Sequence, residues 1–269
     1  MRPQHLIDFH VHCFPDELAE RATTALLDRY QVASLSDGTV AGLLRHMEQS
    51  GVDISVIQPV ATKASQVTDI NDWAASLQSE RISAFGALHP DFPDPGAEVA
   101  RLLALGLRGV KLQPQWQDFY PDDARLGPMY TALAGRLPVL FHAGNEAFPV
   151  SVLKSTPERL RRLHERFPAL TIIAAHFGGY LTWDEAEEYL VGEENVYLDT
   201  SFCLPEVMPD GRFRDMMRRH GVERVLFATD FPFRDPAVDL ARLMRLGLSQ
   251  DELEAICWRN AARLLGLAR

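Results

Sequence analysis

Two histidines separated by one residue, His10 and His12, form the most specific chemical signal in the sequence. They end a predicted strand, and alternate side chains of a strand project to the same side. Two imidazoles placed in this way can bind one divalent ion, at Zn–N distances of about 2.0–2.1 Å. Asp8 lies one step deeper on the same face, where it could accept a hydrogen bond from a ligating imidazole. Because such histidine pairs also occur on ordinary strands, the metal hypothesis needs further ligands.

Three more polar residues stand at the ends of apolar segments. His142 follows Val-Leu-Phe, His176 follows Thr-Ile-Ile-Ala-Ala, and Asp230 follows Val-Leu-Phe-Ala-Thr. A single histidine of this kind is more often a core residue bonded to a carbonyl. An acid in such a segment is costly to bury unless it is paired or bound to a metal. The occurrence of all three together with His10 and His12 favours one shared site over independent structural roles.

Short apolar segments alternate with helical patterns along the whole chain, and these elements must position the polar residues. Strict alternation of strands and helices indicates a parallel sheet, and eight repeats favour a closed barrel. The predicted fold is an α/β protein, a single-domain (β/α)8 TIM barrel over residues 1–269. Active sites of such barrels lie at the carboxyl ends of the strands, where the polar residues above are placed. The eight predicted strands are 6–12, 53–59, 82–88, 107–112, 138–142, 170–176, 196–200 and 225–230.

Two lysines are candidates for binding a substrate anion. Lys111 lies within the fourth predicted strand, and we expect its side chain to point into the barrel. There it must be paired, modified or bound to an anion, whereas an outward lysine would pack its stem on the surface. Lys63, in the loop after the second strand, is a weaker candidate for substrate binding, with a solvated loop position as the alternative.

Composition and charge exclude several classes of function. The 269 residues include 37 acidic and 27 basic side chains, and the net charge of -10 argues against nucleic acid or an anionic membrane as partner. No apolar run could span a membrane, and the first residues lack the apolar core of a signal peptide. Cys13, Cys203 and Cys257 have no CxxC spacing, so we expect reduced thiols in a cytoplasmic protein. We expect a small anionic substrate as partner, and the oligomeric state stays open, a homo-oligomer included.

This combination of motifs resembles the amidohydrolase superfamily, in the amidohydrolase-related branch that also contains the aminocarboxymuconate-semialdehyde and resorcylate-type decarboxylases. The resemblance implies that His10, His12, His142 and Asp230 bind one divalent ion, commonly zinc, with manganese or iron as alternatives. It also implies that His176 is the catalytic histidine. It covers essentially the whole chain, at residues 7–12, 109–112, 139–144, 175–179, 228–230 and the helix 260–267.

The chain departs from this branch at two positions near the expected site. Gln113 stands where members often carry histidine, and Phe231 follows Asp230 where serine is frequent. Neither change removes a ligand, but both alter the pocket, so the substrate of a relative does not transfer. Binuclear members of the superfamily use a carboxylated lysine on the fourth strand as a bridge, which is an alternative to substrate binding for Lys111.

The main functional prediction is a metal-dependent hydrolase of an amide, lactone or ester bond in a small carboxylated molecule. A bound divalent ion lowers the pKa of its water toward about 7. Asp230 would then move the proton to the leaving group, His176 would stabilise the oxyanion, and Lys111 would bind the substrate carboxylate. The alternative is a metal-dependent non-oxidative decarboxylase of a small enol or aromatic acid. A third hypothesis is a non-catalytic ligand-binding barrel, since a fold alone implies no function.

Overall fold

A computed structural model describes residues 2–267 as short parallel strands that alternate with helices. Neighbouring strands are parallel, as predicted from the alternation. The strands are β1 Ile7–Val11, β2 Ile54–Ile57, β3 Ile82–Ala84, β4 Gly86–Ala87, β5 Val110–Leu112, β6 Val139–Phe141, β7 Ile172–Ala174, β8 Val196–Asp199 and β9 Val225–Leu226.

The nine strand segments correspond to the eight predicted strands, because β3 and β4 are halves of the third. They are separated by Phe85, whose N–H donates to the carbonyl oxygen of Ile57 at 3.0 Å. The N–H of Gly86 instead donates to the carbonyl oxygen of Gly109, at 2.8 Å. The strand thus changes its hydrogen-bonding partner from β2 to β5 at this point.

The barrel closes between its first and last strands. The N–H of Asp230 donates to the carbonyl oxygen of His10 at 2.8 Å, and the N–H of His12 donates to that of Phe231 at 2.7 Å. These bonds continue the pairing beyond the short β9 and complete the predicted (β/α)8 barrel. They also bring the end of the last strand against His10 and His12.

Helices cover the outside of the barrel, and their starts show the expected capping chemistry. Asp94, Thr156 and Asp235 each accept a hydrogen bond from a backbone N–H of the first turn, and a proline follows each of them. No helix within residues 2–267 is long and apolar enough to cross a membrane. The helices are α1 Asp16–Tyr30, α2 Val40–Ser50, α3 Val67–Ser76, α4 Pro95–Ala104, α5 Gly127–Leu133, α6 Pro157–Arg166, α7 Trp183–Tyr189, α8 Asp210–His220, α9 Pro236–Arg245, α10 Gln250–Glu254 and α11 Asn260–Leu265, with a π-helical segment Ala255–Arg259 before α11.

The core has two layers, one between the strands and the helices and one inside the barrel. Ala261 and Leu265 of α11 pack into the inner layer, so the last helix closes the barrel opposite the carboxyl ends of the strands. The remaining polar strand residues are therefore concentrated at the other end. Strand side chains of the inner layer include Ile7, Phe9, Val56, Leu140, Ile173, Tyr197 and Leu226.

Candidate active site

Three of the predicted metal ligands converge at the carboxyl ends of β1 and β9. His10, His12 and Asp230 each offer one ligand atom, and these three atoms lie within 4.8 Å of one another. Oδ1 of Asp230 is 3.1 Å from Nε2 of His12 and 3.7 Å from Nε2 of His10. This oxygen is buried and has no hydrogen-bond partner among the described residues. Two imidazoles and an unpartnered carboxylate oxygen form a donor set that fits a divalent ion.

The backbone at Asp230 adopts the left-handed conformation, with φ of 66°. This region is unfavourable for residues other than glycine, and such residues concentrate at functional sites. The N–H of Asp230 bonds to the carbonyl of His10, which holds the strained residue against β1. Burial alone would raise the pKa of the Asp230 carboxyl, but the electrostatic interaction with the imidazoles of His10 and, after it, His12 lowers this pKa well below its usual range. Asp230 is therefore a carboxylate at neutral pH.

Asp199, at the end of β8, holds His10 in place. Its Oδ2 lies 2.9 Å from Nδ1 of His10, and both side chains are buried. Burial raises the pKa of Asp199, but the charge and hydrogen bond of His10 outweigh it and hold it at about 2. Since a carboxylate only accepts, Nδ1 of His10 carries the hydrogen, and Nε2 keeps a lone pair for an ion.

The expected role of Asp8 beside the metal ligands is not what the structure shows. The register of β1 against β2 shifts between Asp8 and Val11, so strict alternation fails there. The carboxylate of Asp8 accepts hydrogen bonds from the N–H and the hydroxyl of Thr229, at 3.0 and 2.5 Å. Asp8 thus fixes the segment before Asp230, while Asp199 takes the position behind His10.

His176 is held by the same carboxylate. Its N–H donates to Oδ1 of Asp199 at 2.9 Å, and its own φ is 56°. The hydroxyl of Ser201 lies 2.5 Å from Oδ1 of Asp199 and 2.9 Å from Nδ1 of His176. The hydroxyl donates to the carboxylate and so accepts from Nδ1–H, which leaves Nε2 of His176 to exchange a proton. Burial, followed by the nearby charge of His142, lowers the pKa of His176 to about 3.

His142 faces His176 and is not one of the three converging ligands. Its Nδ1 lies 3.1 Å from Nε2 of His176, and its Nε2 lies 3.3 Å from Oε1 of Glu146. Glu146, in the loop after β6, is buried and accepts a hydrogen bond from the amide of Gln113 at 2.8 Å. The glutamine at this position therefore orients Glu146 toward His142. Metal binding by His142 stays a prediction.

Lys111 points into the barrel, as predicted, and Lys63 does not reach the site. Nζ of Lys111 lies 3.3 Å from Nε2 of His10, in a buried position. Burial lowers the pKa of Lys111 to about 8, against the opposing charges of Asp230 and other nearby carboxylates. Lys63 is exposed and does not line the cavity described next. The structure thus brings one of the two candidate lysines to the site.

These polar groups line a cavity of about 580 Å³. We call them the floor, which consists of His10, His12, Lys111, His142, His176 and Asp230. Around the floor the wall is largely apolar and aromatic. In this wall Tyr30 packs against Trp116 and Phe233, with ring centroids 6.0 Å apart in both pairs. Other wall residues are Phe14, Val32, Val60, Ile70, Trp73, Tyr180 and Phe202.

Sequence reasoning missed Asp199, Ser201 and Glu146 as parts of the site. A signal for Asp199 existed, because this acid ends the otherwise apolar strand Val-Tyr-Leu-Asp in the same way that Asp230 follows its own apolar segment. Ser201 and Glu146 lie in loops, and no spacing rule connects them to the floor. Trp183, at the start of α7, is buried and donates its ring N–H to the carbonyl oxygen of His176.

Comparison with known proteins gives the same fold. The solved structure of an uncharacterized TIM-barrel protein from Bordetella bronchiseptica is similar at 22% identity, with a TM-score of 0.76 and coverage of 97% of this chain and 98% of that chain. A 5-carboxyvanillate decarboxylase from Novosphingobium aromaticivorans, bound to manganese and 4-hydroxy-3-methoxy-5-nitrobenzoic acid, is 17% identical, with a TM-score of 0.74 and coverage of 98% and 96%. A 2,6-dihydroxybenzoate decarboxylase from Rhizobium is 18% identical, with a TM-score of 0.70 and coverage of 98% and 99%.

Sequence comparison identifies the family to which the chain belongs. No curated protein matches the chain in sequence. A family model described as amidohydrolase matches residues 7–267, which is nearly the whole chain and includes every residue of the floor. The resemblance inferred from the motifs is thereby confirmed, and the chain belongs to the amidohydrolase family.

Proposed function

We propose that this protein is a metal-dependent, non-oxidative decarboxylase of a small hydroxyaryl or enol acid. The observation that carries the proposal is the placement of the charged floor beneath an apolar, aromatic-walled cavity. Such a wall accepts a planar ring and shields a carboxylate from water. Desolvation destabilises the charged carboxylate relative to a state in which its charge spreads into the ring as neutral carbon dioxide departs. Two of the similar structures are decarboxylases of aromatic acids, which supports the same choice.

The reaction breaks the bond between the ring carbon and the carboxylate. Its electron pair stays on the ring carbon, carbon dioxide leaves, and one proton is added at that carbon. A divalent ion held by His10, His12 and Asp230, with His142 as the proposed fourth ligand, would supply positive charge for the oxygen atoms of the substrate. Zinc and manganese both suit this donor set, and manganese is bound in one similar structure.

Residues of the chain would bind the substrate, transfer the proton and orient the reacting groups. Lys111, buried beside His10, would bind an oxygen of the substrate and compensate its charge. His176, held at Nδ1 by Ser201, would hold or pass the proton at Nε2. Asp230 would keep its charge and orient His12 through the contact of 3.1 Å. The aromatic wall would align the ring with the floor.

Hydrolysis, the main prediction from the sequence, stays the second candidate. It is favoured by the unpartnered, buried oxygen of Asp230, beside which a nucleophilic water would find an acceptor. The two chemistries use the same floor but leave different products. We also propose that the protein works in the cytoplasm, where its three free cysteines would stay reduced, and that it acts on a free small molecule.

The test is product analysis with manganese- or zinc-supplemented protein. We expect carbon dioxide and a phenol from 2-hydroxybenzoate or 2,6-dihydroxybenzoate, with one deuterium on the ring when the reaction is run in D₂O. His176→Asn should slow the appearance of both signals by at least about a hundredfold, whereas His164→Asn, at a histidine on the outer helix α6, should not. Turnover of aryl esters, lactones or anilides without carbon dioxide release from any acid of the panel would replace this proposal by the hydrolase.

A further inference from the structure

The shape of the cavity points to the class of acid that it accepts. Six side chains of α1 line it. One is Glu17 in the first turn, and the other five stand at positions i, i+4, i+7, i+8 and i+12, which lie on one face of a helix. We call these five the roof, which consists of Leu18, Ala22, Ala25, Leu26 and Tyr30. Apart from the tyrosine hydroxyl, the roof is apolar.

The roof is long relative to a single aromatic ring. Leu18 and Tyr30 are twelve residues apart, which is about 18 Å along a helix. The Tyr30 end of the roof lies close to the floor. The Tyr30 hydroxyl donates to Oε2 of Glu146 at 3.4 Å, and Glu146 contacts His142 of the floor. A cavity of about 580 Å³ is in the range that encloses ligands much larger than a hydroxybenzoate. The two alanines leave space under the middle of α1 that larger residues would fill.

The charges around the cavity limit the substrate to one carboxylate. Among the described residues that line it, Lys111 is the only lysine or arginine, and it lies beside His10. The other charged residues of the lining outside the floor are Glu17 and Asp69, both acidic and exposed. A second carboxylate on the substrate would meet acidic or apolar surroundings and would bind poorly.

We infer that the substrate is an elongated acid, with one carboxylate and its neighbouring hydroxyl at the floor and an apolar alkyl or aryl extension beneath the roof. This inference rests on the proposed function for the acid end and adds the extension. Ala22 and Ala25 then determine how long an extension the protein accepts. The elongated space along α1 suits a flexible alkyl chain or a second ring.

The test is binding, measured by calorimetry on the manganese-supplemented protein. The probes are 2-hydroxybenzoate and its 4-, 5- and 6-hexyl derivatives. Each buried methylene strengthens binding by about fourfold, so we expect one hexyl isomer to bind at least about a hundredfold more tightly than the parent acid. The dianion of 5-carboxy-2-hydroxybenzoate should bind no more tightly than 2-hydroxybenzoate. Equal affinity for the parent and all three hexyl acids would overturn the inference.

Variants of the roof locate the extension. Ala22→Trp should reduce the ratio of hexyl to parent affinity to near one, and the milder Ala25→Leu should reduce it by about tenfold. Thr24→Trp is the matched control, because Thr24 lies on the same helix, is exposed and does not line the cavity. If Thr24→Trp lowered the ratio as much as Ala22→Trp, the extension would not lie beneath α1.

Measurement of carbon dioxide separates this inference from the proposed function. A hexyl acid that binds tightly through the roof but releases no carbon dioxide would support the elongated ligand and contradict decarboxylation. If 2-hydroxybenzoate released carbon dioxide and no hexyl chain increased the binding affinity, decarboxylation would be supported and the extension of the substrate beneath the roof would be contradicted.

Discussion

On the β1–β9 side of the floor, His10 and His12 direct ring nitrogens toward an oxygen of Asp230 that has no hydrogen-bond partner among the described residues. On the β6–β7 side, His142 and His176 contact each other at 3.1 Å, and Ser201 and Glu146 contact their outer nitrogens. The first side has lone pairs to offer an ion, whereas the second has nitrogens joined in a chain of hydrogen bonds. The first side therefore suits the proposed metal binding, and His176 on the second side suits the proposed proton transfer.

The difference arises from the neighbours and not from the histidines themselves. Asp199 reaches both sides, with Oδ2 on Nδ1 of His10 and Oδ1 on the N–H of His176. Asp199 fixes a hydrogen on Nδ1 of both imidazole rings. It contacts Nδ1 of His10 directly and acts on Nδ1 of His176 through the hydroxyl of Ser201. A single buried carboxylate therefore orients the first proposed metal ligand and the proposed catalytic histidine together.

The largest expected effect is on the metal. His10→Ala or His12→Ala should reduce the metal content of purified protein from about one ion per chain to near zero, with loss of activity, because each removes one of three converging ligands. His142→Ala should weaken metal binding by only about tenfold to a hundredfold, since this side chain faces His176. Elemental analysis and metal titration measure both.

The control for the metal measurement is His5→Ala, at a half-exposed histidine outside the floor. It should keep the full metal content. If His142→Ala lost the ion as completely as His10→Ala, the fourth proposed ligand would hold the ion as strongly as the first, and the two sides would not differ in metal binding. A content near two ions per chain would instead bring Lys111 into the ligand set as a bridge.

The next effect is on the rate. His176→Asn should keep the metal and lower kcat by about 10²–10⁴, which is the usual contribution of a positioned proton-transfer group. The asparagine fills similar space and keeps the backbone N–H that donates to Asp199. Metal content and steady-state kinetics on the same preparation provide the measurement. Full activity of this variant would remove His176 from the mechanism.

Much of the fold and part of the site follow from sequence patterns. The alternation of apolar segments with helical segments predicts the barrel, because a parallel strand needs a covering helix before the next strand can pair. The rule that polar residues gather at the carboxyl ends of strands then predicts His10, His12, Asp230, His176 and Lys111 near one cavity. This rule needs no knowledge of side-chain contacts, which explains its success from a single sequence.

The remaining parts depend on contacts that no local pattern encodes. The register shift in β1 turns Asp8 toward Thr229, whereas strict alternation predicts a place behind the ligands. The burial of Glu146 depends on Gln113, which is 33 residues away along the chain. The contact between His142 and Glu146 and the position of the α1 roof over the cavity likewise involve residues outside the strands. Each of these is a tertiary effect that becomes visible only once the chain is folded.

A smaller effect, which connects the two sides, is expected at Asp199. Asp199→Asn keeps the shape but removes the charge that holds the hydrogen on Nδ1 of His10, so we expect metal binding to weaken by about tenfold to a hundredfold. Ser201→Ala removes only the contact with Nδ1 of His176 and should lower kcat with little change in metal affinity. Metal titration and kcat distinguish the two variants. If Ser201→Ala lost the metal, the two sides would not be separable.

The last effect concerns the stability of the fold and not the site, at a histidine outside the floor, His220 in α8. It is buried, its Nε2 donates to the carbonyl oxygen of Val196 at 3.1 Å, and its Nδ1 accepts from the N–H of Gly192 at 3.2 Å. Burial, followed by the charge of Arg224, lowers the pKa of His220 from 6.5 to about 4. Between these values the unfolded chain binds a proton that the folded chain does not. The contribution of His220 to the free energy of unfolding is therefore complete above pH 6.5 and is lost as the pH falls toward about 4, by roughly 3 kcal/mol.

Urea unfolding of the wild type and His220→Gln across this pH range tests the prediction. Glutamine can donate and accept at this position but does not titrate, so its curve should fall less steeply than that of the wild type below pH 6.5. Above that pH the two curves should run parallel, which serves as the internal control. Parallel curves over the whole range would mean that His220 takes up a proton in the folded chain. A hydrogen-bonded, buried imidazole would then not suffice to keep a histidine neutral in this barrel, and the assignment of hydrogens at His10 and His176 would need direct measurement by ¹⁵N NMR.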